Sequence, residues 1–168
     1  VRLSRSDMTI RTALLDARLI LGDEKLFTDF QHRFREDVLK ASVRPFVDAK
    51  LEEQNARHAR AGASRYLVEP NIKDGKGGLR DLHTLYWIGK YVHRVRSPSD
   101  LVEVGLLTRE EYRKFEKAEN FLWAVRCHMH DISGRAEDRL TFDLQREVAE
   151  RMRFSPRPGR SAVERFMQ

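Results

Sequence analysis

The spacing of apolar residues predicts an all-α fold: a helical bundle carrying one short strand or hairpin and one glycine-rich loop. Three observations support this. Apolar residues recur at intervals of three and four in nearly every segment. Helix-start residues such as Asp7, Asp23 and the Thr108-Arg109-Glu110-Glu111 box stand ahead of those patterns. The one strand-like run, Tyr66-Leu67-Val68, is too short to form a sheet by itself.

Asp7 caps a first predicted helix, which runs to Leu21 through Ile10, Ala13, Leu14, Ala17 and Leu21 and is stopped by Gly22. Asp23 caps a second, in which Phe27, Phe30, Phe34 and Val38 form an apolar stripe that reads as core. A third begins near Ser42, with Pro45 tolerated in its first turn and Val43, Phe46, Val47 and Leu51 expected to be buried. Past Leu51 this helix offers only Ala56 and Ala59 as apolar residues, so Arg57, His58 and Arg60 are expected to be exposed, solvated or in contact with an anion, until Gly62 closes it. Leu82, Leu85, Tyr86, Gly89 and Val92 mark a further helix, and Asp100 to Gly105 a short one. The longest helix follows Thr108, its stripe of Tyr112, Phe115, Ala118, Leu122, Val125, Met129 and Ile132 ending at Gly134. Phe121, Trp123 and Cys127 widen that stripe and suggest burial on more than one side. A helix from Thr141 to Met152, a proline-containing linker over 155–159 and a last helix from Ser161 complete the chain.

Composition narrows the function classes. With 168 residues, 40% hydrophobic and 35% charged, the chain suits one helical domain over 1–168 with a real core. Cys127 is the single cysteine, which excludes an internal disulfide and suggests a reducing, cytoplasmic setting. No apolar run approaches the ~20 residues of a membrane helix. A net charge of +6 suits an anionic partner, but no nucleic-acid motif accompanies it. The chain starts at Val1 and stops inside the amphipathic run Val163-Glu164-Arg165-Phe166-Met167, the pattern of a segment of a longer protein.

Chemistry concentrates in Glu69-Pro70-Asn71-Ile72-Lys73-Asp74-Gly75-Lys76-Gly77-Gly78-Leu79-Arg80-Asp81. Gly75, Gly77 and Gly78 permit positive φ and close backbone approach, and Lys73, Lys76 and Arg80 are delivered to a helix start, where free N–H groups favour a phosphate. The string fits neither a Walker loop nor a dinucleotide fingerprint, which would need a glycine at Arg80. A plain glycine turn, with Asp81 favourable in the first helical turn, explains the same letters. His130-Asp131 spells the HD dipeptide of metal phosphohydrolases, but His128 and His130 lie two apart and face different sides of a helix.

The run Leu67-Val68-Glu69-Pro70-Asn71-Ile72-Lys73, continued by Gly77-Gly78-Leu79-Arg80-Asp81-Leu82-His83-Thr84-Leu85-Tyr86-Trp87-Ile88, resembles the bacterial bifunctional uridylyltransferase/uridylyl-removing enzymes of nitrogen regulation. The likeness extends to Ala56-Arg57-His58-Ala59-Arg60, to Phe121-Leu122-Trp123-Ala124-Val125-Arg126 and to the stretch from Gly134 to Gln145. It implies a multidomain enzyme that uses magnesium to transfer UMP from UTP to a tyrosine of the PII signalling protein, and that hydrolyses UMP off again under glutamine control. It further implies a polymerase-β-type nucleotidyltransferase domain upstream, and HD and ACT domains downstream. Residues 65–81 would complete the upstream site, and 160–168 would begin the connection to the HD domain. No D-x-D pair occurs in the chain, so the segment is expected to be inactive alone. Such transferases carry a third magnesium carboxylate on a strand after the first pair, and Asp81, by its position just after the short strand and the glycine turn, is the candidate for that role or for its direct support. Lys73, Lys76, Gly77, Gly78 and Arg80 become the triphosphate-binding set. Glutamine synthetase adenylyltransferases share a similar glycine turn, and a non-catalytic scaffold that docks the protein substrate is the other alternative.

Overall fold

A computed structural model of the chain describes residues 1–40, 43–60 and 68–168. Its regular structure is helical: α1 (Met8–Leu15), α2 (Glu24–Phe34), α3 (Val43–Arg60), α4 (Leu79–His93), α5 (Asp100–Glu103), α6 (Arg109–Ser133), α7 (Phe142–Arg151) and α8 (Ala162–Phe166). Among the described residues extended pairing is limited to two isolated bridges, Asn71 with Arg139 and Arg157 with Arg160. Ser42, Gly62 and the Tyr66–Leu67 part of the expected strand lie outside the described residues, and Val68 is exposed. No described helix is long and apolar enough to cross a membrane.

Helix starts follow their caps. Asp7 accepts from the Thr9 and Ile10 N–H groups at 2.8 and 3.0 Å, and Asp23 from Lys25 and Leu26 at 2.8 and 3.1 Å. Ser161 and Glu164 close a reciprocal capping box on α8. Helix α1 ends at Leu15, a turn and a half short of the expected Leu21, and Leu19, Ile20 and Leu21 lie exposed. Asp16 ends it physically, because its carboxylate turns to the Lys90 ammonium and the Trp87 indole N–H (3.0 Å) instead of continuing the helix.

Contacts divide the described chain into two compact units, 1–54 with 84–108 and 55–83 with 109–168, where the sequence suggests a single domain. The boundary passes through α3 after Gln54 and through α4 after His83. In the first unit Phe46 and Tyr91 stack at 4.0 Å, both fully buried, and the Tyr91 hydroxyl donates to the Val38 carbonyl at 3.0 Å. Such a ring pair adds about 0.5–1.5 kcal/mol to the burial of its apolar surface. Val43 and Leu51, expected in this core, are exposed. Lys50 is buried instead: its ammonium lies 5.8 and 5.7 Å from the ring centroids of Phe46 and Trp87 and reaches Glu53 at 2.7 Å.

The second unit is built on Ile72, Val125, Met129, Leu140, Leu144, Val148, Ala149 and Phe166. Helix α6 contributes the inward Phe115, Val125 and Met129, but the widened face expected for it is absent, since Phe121, Trp123 and Cys127 are exposed.

Gly89, in mid-helix, is required for space: a Cβ there would lie 2.5 Å from Leu101 Cδ2, with Val95 and Leu106 side chains at 3.4 and 3.5 Å. Leu101 is fully buried and has nowhere to swing. Gly89→Ala gains ~1 kcal/mol of helix propensity but overpacks the core at a cost of about 1–3 kcal/mol. We expect a net loss of roughly 1 kcal/mol by urea denaturation, where an exposed helical glycine would show a gain.

Candidate functional site

Asn71 opens the glycine segment with an Asx turn, its side-chain oxygen accepting from the Lys73 and Asp74 N–H groups at 3.0 and 2.6 Å. Ile72 is buried in the second core, and its N–H donates to the Asp138 carbonyl at 2.8 Å while the Leu140 N–H donates to Pro70 at 2.9 Å. Glu69 completes the strap by accepting from the Phe142 N–H and pairing with Arg139, each at 3.1 Å. The segment is thus pinned to the start of α7.

The three glycines have different physical reasons. A Cβ on Gly75 would lie 2.5 Å from the Asn71 carbonyl oxygen, and one on Gly78 2.6 Å from that of Ile72, so both positions exclude side chains by contact with backbone. Gly77 stands in open space but at φ +79°, the left-handed region. The chain then folds back: Gly78 N–H donates to Gly75 C=O (2.9 Å), Leu79 to Ile72 (3.0 Å), Arg80 to Lys73 (2.9 Å) and Asp81 to Gly78 (3.0 Å). These N–H groups at the start of α4 therefore already have internal acceptors. Side chains are left as the groups a phosphate would meet.

Asp81 is the centre of the second unit's polar structure. Its carboxylate accepts from the Arg57 guanidinium and from the Gly77 N–H at 2.8 Å, and His58 Nε2 lies 2.9 and 3.0 Å from its two oxygens. Side-chain exposures of 16% for Asp81, 12% for Arg57 and 17% for His58 place this cluster out of bulk water, where such a pair is far stronger than at the surface. The sequence expectation that Arg57 and His58 face solvent is reversed: both are half-buried and the alanines beside them, Ala56 and Ala59, are exposed. The end of α3 is oriented by a carboxylate 23–24 residues away, so its apolar pattern is no guide to its inner face.

A second carboxylate, Asp138, was not marked by sequence. It accepts from Arg126 Nε at 2.7 Å, lies 3.2 Å from His130 Nε2 and 3.7 Å from Lys73 Nζ. Burial by itself raises its carboxyl, but the hydrogen bonds from Arg126 and His130 and the charges of Arg126 and Lys73 outweigh that and hold it below the ordinary range. The available signal was the position of Arg126 and His130, one helical turn apart on α6. Asp131, the other half of the HD dipeptide, pairs with Arg151 instead, so the dipeptide does not converge on one site.

Of the expected phosphate-binding set, Lys76 and Gly77 are exposed, Gly78 is buried, Lys73 faces Asp138, and Arg80 Nε stands 3.6 Å from Asp74. No three His, Cys, Asp or Glu side chains gather into a metal-binding group among the described residues. With Arg57 and the Gly77 N–H against its oxygens, the Asp81 carboxylate is already engaged by positive charge from this chain.

The family model of the GlnD PII-uridylyltransferases matches residues 45–168. The chain belongs to this family. It is 66% identical over all 168 residues to a bifunctional uridylyltransferase/uridylyl-removing enzyme of Novosphingobium aromaticivorans and 60% identical to one of Erythrobacter litoralis. In each case it spans 18% of the relative's length. No solved structure matches the chain.

Two measurements probe this site. Gly75→Ala and Gly78→Ala should each lower stability by more than Gly77→Ala, whose cost is the ~1–2 kcal/mol of a left-handed L-residue, and equal losses at the three positions in denaturant titrations would contradict the geometry. Because the Asp138 carboxyl is depressed in the folded state, its contribution is present above the unfolded value of about 3.9 and is lost as pH falls through the lower folded value. Wild type and Asp138→Asn should therefore differ most near neutral pH and converge in stability below pH ~4.

Proposed function

We propose that this chain is the helical segment that supports nucleotide handling in a cytoplasmic enzyme of its family, one that attaches UMP from UTP to a PII signalling protein and removes it again. Family membership carries the reaction, and the Asp81 cluster carries the role of the segment. In this reading Asp81 is a positioning residue: by clamping Gly77, Arg57 and His58 it fixes the turn from which Lys76 and Arg80 project. Those two side chains, with Lys73 behind them, would face the negative charge of the triphosphate. The long 3.7 Å pairing of Lys73 with Asp138 suits a cation that can exchange a carboxylate for a phosphate. Magnesium, which supplies charge neutralisation at the phosphates when bound, would be held by carboxylates outside these residues. Upstream transferase, downstream HD and ACT domains would complete the machinery.

The test is made in a full-length family enzyme that carries this segment, following UMP transfer and UMP removal in parallel. Lys76→Ala and Arg80→Ala should raise the KM for UTP several-fold and leave UMP removal near normal. Asp81→Asn leaves Arg57 without its charged partner, which costs about 1–3 kcal/mol of stability. Its transfer activity should fall by less than tenfold at a temperature where the protein stays folded. A loss of about a hundredfold or more in transfer with unchanged stability would instead make Asp81 a metal-holding catalytic residue.

A further inference from the structure

The first unit holds a cavity of about 540 Å³ that the proposed transfer role does not use. That volume falls in the range of small-molecule sites. Its apolar wall comes from Leu14 and Leu15 of α1, Phe30 and Phe34 of α2, and Leu39 and Val95. Its charged lining is Arg35, Lys90, Arg94 and Arg96, with Gln31 beside them and no acidic residue.

The four cations are not equally committed. Lys90 is paired with Asp16, lies over the Tyr86 ring at 5.0 Å and reaches the Leu15 carbonyl at 3.4 Å. Arg94, in a left-handed conformation at φ 61°, donates to the Tyr91 and Leu39 carbonyls and keeps further N–H donors in its fork. Burial disfavours its charged form, Tyr91 partly offsets that, and the nearby charge of Arg35 adds to the disfavour. Arg96 has a carboxylate in its vicinity, Asp100, whose bonds go to the Arg96 and Ser97 backbone and the Ser97 hydroxyl. Neither Arg35 nor Arg96 makes a side-chain hydrogen bond or an ion pair among the described residues. Arg35 acts on Arg94 within the same lining, and two like charges so placed cost energy that a bound anion would recover.

We propose that this cavity is a binding site for a small organic anion, a carboxylate or phosphate attached to an aromatic or comparably apolar body, with the body against Phe30, Phe34 and Leu14 and the charged group between Arg35, Arg94 and Arg96. The two parts of the lining require the two parts of the ligand. Inorganic phosphate would leave the apolar wall wet, and a neutral aromatic would leave the cation repulsion in place. None of these residues belongs to the glycine-turn site, so the inference stands or falls separately from the proposed transfer role.

The full chain would be titrated with 1-anilinonaphthalene-8-sulfonate, an aromatic anion whose fluorescence rises in apolar sites. One saturable site is expected, weakened at least fivefold in the Arg35→Glu/Arg96→Glu variant and in Phe30→Ala, with circular dichroism unchanged. The Arg35→Lys/Arg96→Lys variant keeps the charge and should retain binding, which separates electrostatics from misfolding. Phenyl phosphate and benzoate as competitors distinguish the phosphate from the carboxylate source, and either should displace the probe at concentrations where inorganic phosphate does not. Weakening of less than fivefold in the folded glutamate variant, several weak sites in place of one, or equal displacement by inorganic phosphate would overturn the proposal.

Discussion

The second unit depends on one carboxylate holding two elements and a turn together. Asp81 stands in the first turn of α4, where the helix dipole already favours a negative charge, and there it collects Arg57, His58 and the Gly77 N–H. Each partner solves a separate problem. Arg57 and His58 tie the end of α3 to the start of α4 through charge, and Gly77 is kept at a φ that a free chain would visit only part of the time. Because the cluster is half-buried, removing any one member strands the others with their desolvation cost.

Asp138 repeats this solution on the other side of the glycine segment. It gathers an arginine and a histidine from α6 and a lysine from the turn, while its backbone carbonyl receives the Ile72 N–H. The segment from Glu69 to Asp81 is therefore fixed by two carboxylates, by Ile72 in the core and by its own folded-back hydrogen bonds. A loop so constrained holds the backbone of Lys76 and Arg80 in one conformation. Rigidity here comes from polar contacts that a glycine-rich composition would not by itself suggest.

The first unit shows the converse arrangement, with charge placed inside an aromatic frame. Lys50, its ammonium near the Phe46 and Trp87 rings and paired with Glu53, and Arg11, donating to the Ser4 and Arg5 carbonyls at 2.7 and 2.6 Å, are buried cations whose heads are satisfied locally. At the neighbouring cavity the same chemistry is left incomplete, and that imbalance distinguishes a binding surface from a core.

Helical class, cap residues and most helix positions were legible in the sequence, because capping and three-four periodicity are local properties of a chain. The positions of Asp7, Asp23, Ser161 and the stripe of Phe34 and Val38 follow from them directly. The glycine segment and family likeness were legible too, since both lie in contiguous letters. Tertiary structure alone decided which side of α3 turns inward, why α1 stops at Leu15, and that Cys127 stays outside. In the first two cases a charged group made a contact with a residue far along the chain, Arg57 with Asp81 and Asp16 with Lys90, and such partners leave no periodic trace. Asp138 belongs to the same class: one aspartate among many in sequence, it acquires its role only when α6 brings Arg126 and His130 to it. Apolar burial follows patterns of spacing that a single segment carries within itself, whereas the pairing of a half-buried charge is settled by whichever opposite charge the fold delivers.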